Sequence, residues 1–266
     1  MNKVLIICGP TATGKTKLAA HLAKKLGGEL VSADSRQVYR GMDLVTGKER
    51  VDVPIWLYDV VDPDEEFSVS HWVKLARAAI SDIAKRGNMP IVVGGTGLYI
   101  QALLRPFETI NIPPNKKLRE KLAKLTVGEL QEMVTRRDMN ASDWYNPRRL
   151  IRKIEIAQSR KRKAQSNQTY DVLLIGLTAP LGVLDKRIDE RLEARKQLGM
   201  DAEEAILRKR FSPTLPAMTA LGLNEHAYAR RQMTWFKKQS GIMWFDIQEA
   251  GLIHKVEKVV KEWYTK

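Results

Sequence analysis

Cysteine is nearly absent from this chain: Cys8 is the one thiol in 266 residues. That excludes a disulfide framework and a Cys-rich zinc site, and Cys8, set in an apolar run, reads as a small core residue. Long hydrophobic runs are absent too. Stretches such as residues 4–8 and 91–93 are far too short to span a bilayer. The first strand is expected to begin at Lys3, leaving no room for a cleaved leader, so a cytoplasmic protein with no membrane attachment is expected. Internal repeats and low-complexity tracts are lacking. What the chain has in excess is positive charge. Lys and Arg number 45 against 31 Asp and Glu, a net +14. Such a surplus suits a polyanionic partner, although a solubilising surface would produce the same count.

With 44% apolar and 29% charged residues, the chain reads as globular, and its length allows one sizeable core with a small appendage. The first hundred residues alternate short β-rich runs with helical patterns. Strands are expected at residues 3–8, 29–33 and 90–93, and helices at 15–26 and 68–86. This alternation predicts a parallel sheet covered on both faces by helices. Pro106, Pro113 and Pro114 then mark a break, and residues 115–167 carry helical patterning without strand signals. The run DVLLIGLTA, residues 171–179, returns the chain to the sheet. A long helix follows over 181–198, ending at Gly199, and a last short strand is expected near 241–245. The expected architecture is thus α/β: a core of residues 1–112 and 168–266 interrupted by an all-helical insertion, 113–167.

Residues 9–16 read GPTATGKT, which satisfies G-x-x-x-x-G-K-[ST] between a strand and a helix, as the motif requires. Glycines let backbone N–H groups crowd around phosphate oxygens, and the helix N-terminus adds partial positive charge. Gly9, Thr11, Ala12, Thr13, Gly14 and Lys15 are therefore expected to cradle phosphates, with Lys15 as the point charge and the Thr16 hydroxyl as a candidate Mg²⁺ ligand. The motif does not choose between a nucleotide and a plain diphosphate. No strand ending in a Walker-B aspartate follows. The strand at 90–93 runs into Gly94-Gly95-Thr96 instead, which speaks against an ordinary ATPase.

Ligands in open α/β sheets lie beyond the carboxyl ends of the strands. Besides the phosphate loop, two loops leave those ends: Asp34-Ser35-Arg36-Gln37, and Gly94-Gly95-Thr96-Gly97. Asp34 is a candidate general base or water-mediated metal ligand, or else a turn former. Thr96 could donate to a phosphate or cap a helix. Along the helix at 181–198, Leu184, Ile188 and Leu192 mark a buried face, and Arg187, Arg191 and Arg195 recur beside them. Arg191 has no acid among its helical neighbours, so the stripe invites an external anion. A solvated face, or pairing with acids distant in sequence, is the alternative. In the insertion, Arg148, Arg149, Arg152 and Lys153 cluster on one side of a helix opened by Pro147, and Arg160, Lys161, Arg162 and Lys163 continue the charge. Nucleic-acid phosphates would suit them, as would solvent. Trp235 and Phe236, in RRQMTWFKK, are expected in the core.

Taken together these stretches resemble the tRNA dimethylallyltransferase family, the isopentenyl-diphosphate:tRNA transferases. The resemblance is carried by GPTATGKT, SADSRQVYRGMDLVTGKE (32–49), YDVVDPDEEFSVSHW (58–72), VVGGTGLYIQALL (92–104), NPRRLIRKIEI (146–156), DKRIDER (185–191) and RRQMTWFKK (230–238), in order along nearly the whole chain. It implies that the phosphate loop and Arg187 hold the diphosphate of dimethylallyl diphosphate with Mg²⁺. It further implies that Asp34 removes a proton from the N6 amine of the adenosine 3′-adjacent to the anticodon, and that Lys15, Thr96 and Arg191 stabilise the departing diphosphate. Asp34, Ser35, Arg36 and Gln37, with Arg119 and Arg148, Arg149, Leu150, Ile151 and Arg152, match segments that contact the anticodon stem-loop of tRNA. A monomer is expected. The family's Gly-Tyr-Arg-Gln segment is here Gly222-Leu223-Asn224-Glu225, followed by a shortened stretch. Three other readings fit parts of the pattern: a small-molecule P-loop kinase, an enzyme prenylating free adenine nucleotides, and a non-catalytic RNA-binding protein.

Overall fold

A computed structural model describes residues 2–105, 109–110, 112–159 and 170–265. The chain divides into two units, Met1–Arg105 with Gln168–Lys266, and Pro106–Asn167. The larger begins with β1 (Asn2–Cys8), α1 (Lys15–Leu26), β2 (Gly28–Ser32), β3 (Ile55–Trp56), α2 (Val69–Lys85), β4 (Met89–Gly94) and α3 (Gly97–Leu104). The smaller contributes α4 (Lys116–Leu122), α5 (Val127–Glu132), α6 (Ala141–Trp144) and α7 (Pro147–Gln158). The chain then returns through β5 (Tyr170–Thr178), α8 (Leu181–Gln197), α9 (Met200–Arg210), α10 (Glu225–Lys237), β6 (Met243–Asp246) and α11 (Leu252–Tyr264).

The six strands form one sheet in the order β3-β2-β4-β1-β5-β6, every pairing parallel. This is the expected P-loop NTPase-like parallel sheet. Val4 to Cys8 are fully buried, as a strand covered on both faces requires. Leu5 and Ile7 pack with Leu18 and Leu22 of α1 and Val256 and Val260 of α11. The alternation of a strand turns Val4, Ile6 and Cys8 to the opposite face. Trp72 of α2 is fully buried, stacks on Tyr99 of α3 at 4.6 Å, and donates from its indole N–H to the Ser32 carbonyl at 2.9 Å. Phe236 is buried, as expected, and Trp235 packs its ring over Gly97 and edge-on against Phe236. Strand β3 was not expected; it is two residues long and follows Pro54 at the sheet edge, too short to show a period.

The smaller unit has its own core of Leu122, Leu130, Leu150 and Ile154, with Ile151 packed against it. The Glu155 carboxylate is buried there and takes Arg119 Nε at 2.7 Å, Arg119 Nη2 at 2.8 Å and the Asn115 N–H at 2.7 Å. Arg152 reaches the same carboxylate at 3.3 Å and the Ile112 carbonyl at 2.8 Å. Residues Arg160, Lys161, Arg162 and Lys163 lie outside the described residues.

Glu29 of β2 is another buried acid. It accepts from Arg86 Nη2 at 3.0 Å, Trp56 Nε1 at 2.7 Å and Asn88 Nδ2 at 2.8 Å, and the bond to Arg86 above all lowers its pKa from 4.5 to about 2. A depressed carboxylate pKa contributes stability above the unfolded value that is lost as pH falls through the folded one. Glu29→Gln is therefore expected to lower Tm by about 2–4 °C at neutral pH. The difference from wild type should shrink between pH 4.5 and 2, and thermal melts across that range check it.

Candidate active site

The carboxyl ends of β1, β2 and β4 lead into the three loops expected to carry the site. The phosphate loop follows β1. Its Ala12 takes a left-handed conformation at φ 65°, and Gly14, the N-cap of α1, does so at φ 82°. No side chain caps α1 and no acid stands in its first turn, so its leading N–H groups are open to an anion. The Thr13 side chain is buried and bonds back to the Pro10 carbonyl at 2.9 Å, leaving only its backbone for a ligand. Lys15 donates to the same carbonyl at 2.6 Å. Burial, and then the neighbouring charge of Arg191, lower its pKa to about 8.

A single polar cavity gathers the expected chemistry. Thr11, Ala12, Gly14, Lys15 and Thr16 line one side, Asp34, Arg36 and Gln37 another, and Arg191 and Arg195 close it from α8. Asp34 Oδ1 accepts the Arg36 N–H at 2.9 Å, a local bond typical of an Asp turn, while no described group donates to Oδ2. Thr96 stands behind this loop rather than in the cavity wall: its hydroxyl accepts the Ser35 N–H at 3.0 Å and lies 3.3 Å from Ser35 Oγ. It caps no helix N–H with its side chain. Arg187 is exposed, and its Nη2 lies 3.7 Å from where a Gly14 Cβ would be.

Two arginines of the stripe are paired with acids. Arg191 Nη2 meets Glu49 Oε1 at 3.1 Å, and Arg195 pairs with Glu225. Both acids come from elements remote in sequence, so helical spacing could not reveal them. Arg191 Nη1 also donates to Thr11 Oγ1 at 3.2 Å, and Arg195 Nη1 to the Leu44 carbonyl at 3.0 Å. Gly47 sits between the two guanidiniums at φ 63°. A Cβ there would lie 3.2 Å from Arg191 Nη2 and 3.3 Å from Arg195 Nη1, so the position needs glycine for its backbone and for space.

Four further residues of the site escape motif reading. Glu49 and Gly47 lie at the end of the SADSRQVYRGMDLVTGKE stretch, where only the resemblance drew attention to them. Tyr228 lines the cavity with Arg36 over its ring at 4.2 Å, and burial first, then the Asp34 charge, push its phenol up to about 12. Gln232 is buried in α10. Its Oε1 accepts the Thr11 N–H at 2.8 Å and its Nε2 donates to the Gly95 carbonyl at 3.0 Å, joining the phosphate loop to the loop after β4. The departing segment Leu223-Asn224-Glu225 is at the site as well. Leu223 and Glu225 line the cavity, and the Asn224 side chain caps α10 through the Ala227 N–H at 2.9 Å.

In the smaller unit the expected contact helix is only partly available. Leu150 is fully buried and Ile151 packs on the core, so neither side chain is presented. Arg119 and Arg152 are committed to Glu155. Arg148 and Arg149 are exposed, Arg149 pairing with Asp143 at 2.8 Å.

Sheet order and cavity define a P-loop α/β protein whose phosphate loop opens on a carboxylate and an arginine. Among known proteins, residues 37–227 match the IPP transferase family and residues 2–52 the isopentenyl transferase family. The tRNA dimethylallyltransferase of Geobacillus kaustophilus is 37% identical over 300 residues, 97% of this chain and 95% of its own. That of Staphylococcus carnosus is 36% identical over 292 residues, 94% of this chain and 92% of its own. The crystal structure of full-length tRNA isopentenylpyrophosphate transferase from Bacillus halodurans has a TM-score of 0.74 at 32% identity, over 99% of this chain and 97% of that one. The chain belongs to the IPP transferase family, that of the tRNA dimethylallyltransferases.

Lys15 is cationic below its pKa of about 8 and neutral above it. Affinity for inorganic diphosphate is thus expected to fall as pH rises through 8, and Lys15→Arg, which stays charged, to flatten the profile. Calorimetric titration at a series of pH values checks this. Gln232→Ala would strand the Thr11 N–H and the Gly95 carbonyl, and is expected to destabilise the fold by about 1–3 kcal/mol in urea unfolding.

Proposed function

We propose that this chain transfers the dimethylallyl group of dimethylallyl diphosphate to the N6 amine of the tRNA adenosine 3′-adjacent to the anticodon, giving N6-isopentenyladenosine and diphosphate. Family membership supports the reaction class, because the relatives it matches are tRNA dimethylallyltransferases. The observation that carries the reading is the sharing of one cavity by Lys15, Thr16, Asp34 and Arg191. A carboxylate faces a phosphate cradle there, which is what amine attack with loss of diphosphate requires.

In this mechanism the N–H groups of the phosphate loop, with Lys15, hold the diphosphate, and Arg191 joins them on the side of Thr11. The adenine is extruded from its stack to reach the cavity, as base-modifying enzymes require. Its N6 attacks the allylic C1, the C1–O bond breaks, and the electron pair leaves with the diphosphate. Asp34, through the oxygen that no described group engages, takes the N6 proton. Placing the nucleophile and donor side by side, with charge stabilised at the departing oxygens, supplies the acceleration. Thr96, behind the Asp34 loop, acts by fixing Ser35 and hence the carboxylate beside it.

Thr16 lines the cavity with Asp34, and among the described residues no group of three or more His, Cys, Asp or Glu could hold a metal unaided. The site fits an ion that takes most ligands from phosphate and water, as Mg²⁺ does. Thr16 would ligate it directly and Asp34 through water; when bound, the ion neutralises charge on the diphosphate. Of the arginines expected to contact tRNA from the smaller unit, Arg148 and Arg149 are the exposed ones and are the candidates for tRNA phosphates. Among the described residues no helix is long and apolar enough to cross a membrane.

Incubation with Mg²⁺, labelled dimethylallyl diphosphate and either unmodified tRNA or AMP tests this reading. Label is expected in tRNA alone; transfer only to AMP, or none from folded protein, overturns it. Asp34→Ala is expected to lose on the order of 10²-fold or more in turnover while still binding tRNA in a gel-shift assay.

A further inference from the structure

Arg191 is fully engaged on one side of its guanidinium. Nη2 donates to the Gly47 carbonyl at 3.4 Å and meets Glu49 Oε1 at 3.1 Å, while Nη1 donates to Thr11 Oγ1 at 3.2 Å. A guanidinium grips an oxyanion side-on through Nε and Nη2 or end-on through Nη1 and Nη2. Both grips need an Nη2 hydrogen, and Nη2 already donates to the Gly47 carbonyl and lies in ion-pair contact with Glu49. A diphosphate taking either fork therefore competes at Nη2 with the Gly47 carbonyl and the Glu49 carboxylate. Against an anion, the carboxylate is the true competitor, because it carries the same charge into the same cavity.

Glu49 is also poorly anchored except by Arg191. Its second oxygen, Oε2, is buried and has no hydrogen-bond partner among the described residues, a costly arrangement for a charged group. The backbone around it is held by other means. Glu203 of α9 accepts the Leu44 and Val45 N–H groups at 3.0 and 2.9 Å, and Lys48 bonds the Tyr39 carbonyl and Asp43 at 2.7 Å. The Glu49 side chain can thus turn away from Arg191 without the loop moving.

We propose that Glu49 is a positioning residue, a built-in counter-anion that holds the Arg191 guanidinium beside the phosphate loop when the site is empty and is exchanged for the diphosphate when it is filled. This rests on the reading that the cavity takes a diphosphate. The arrangement keeps Arg191 in place without a substrate and weakens the hold on the diphosphate product, favouring its release.

Calorimetric titration of the full chain with inorganic diphosphate and Mg²⁺, without prenyl donor, tests it. Wild type binds, and Glu49→Gln is expected to bind about fivefold tighter, the scale of a partly exposed ion pair. Glu49→Asp, with its charge kept but its reach shortened, should fall between them. Glu204→Gln on α9, where the acid pairs with Arg208, should match wild type. Unchanged or weaker binding by Glu49→Gln overturns the proposal, since loss of orientation alone cannot raise affinity. If Glu49→Gln fails to fold, Glu49→Asp decides by the same criterion. Absence of diphosphate binding by wild type would instead sink the donor-site reading, leaving the two failures distinguishable.

Discussion

Loops beyond the carboxyl ends of a parallel sheet have no ladder to satisfy their peptide groups, yet the chemistry of this fold has to sit on them. Every buried N–H and carbonyl there must find a partner elsewhere. Here several of the partners are side chains from the helices after β5. Gln232 takes the Thr11 N–H and the Gly95 carbonyl, Glu203 takes two N–H groups of the loop that carries Glu49, and Arg195 takes the Leu44 carbonyl. Side chain to backbone bonds of this kind fix three otherwise independent loops around one cavity. The Asp34 loop is tied in turn by Thr96, whose hydroxyl takes the Ser35 N–H, and Arg191 reaches the phosphate loop directly through Thr11.

What was legible from the residues follows the range of the interactions involved. The phosphate loop is written in adjacent residues, and its strand, glycines, lysine and helix appear as expected, with α1 running Lys15–Leu26. The helix Leu181–Gln197, by its spacing, and the strands from Asn2 and Tyr170, by their continuous apolar runs, are likewise local patterns. The partners of the arginine stripe were not local. Helical spacing shows that Arg191 has no acid on its own helix, but Glu49 arrives from the far side of β2. Gln232 was visible only as one letter in a matched stretch, because an amide bridging two loops leaves no periodic trace.

Charge count was the least discriminating signal. The basic helix Pro147–Gln158 looked like a uniform cationic face, but a helix opened by Pro147 must also bury Leu150 and Ile154, and its one acid, Glu155, draws in Arg152 and Arg119. A buried carboxylate needs such partners. Arg152 and Arg119 are thereby drawn from the positive charge of that unit, while Arg148 stays exposed, and net charge alone could not have separated them.

The cavity draws Thr11 through Glu49 from the early part of the chain and Arg191 through Tyr228 from the late part, with the helical unit emerging from the ribosome in between. During synthesis the phosphate loop would exist for well over a hundred residues of elongation before α8 and α10 can reach it. A nascent chain would thus carry the cradle without its arginine wall. The cavity is completed only when α8 and α10 close over loops made long before.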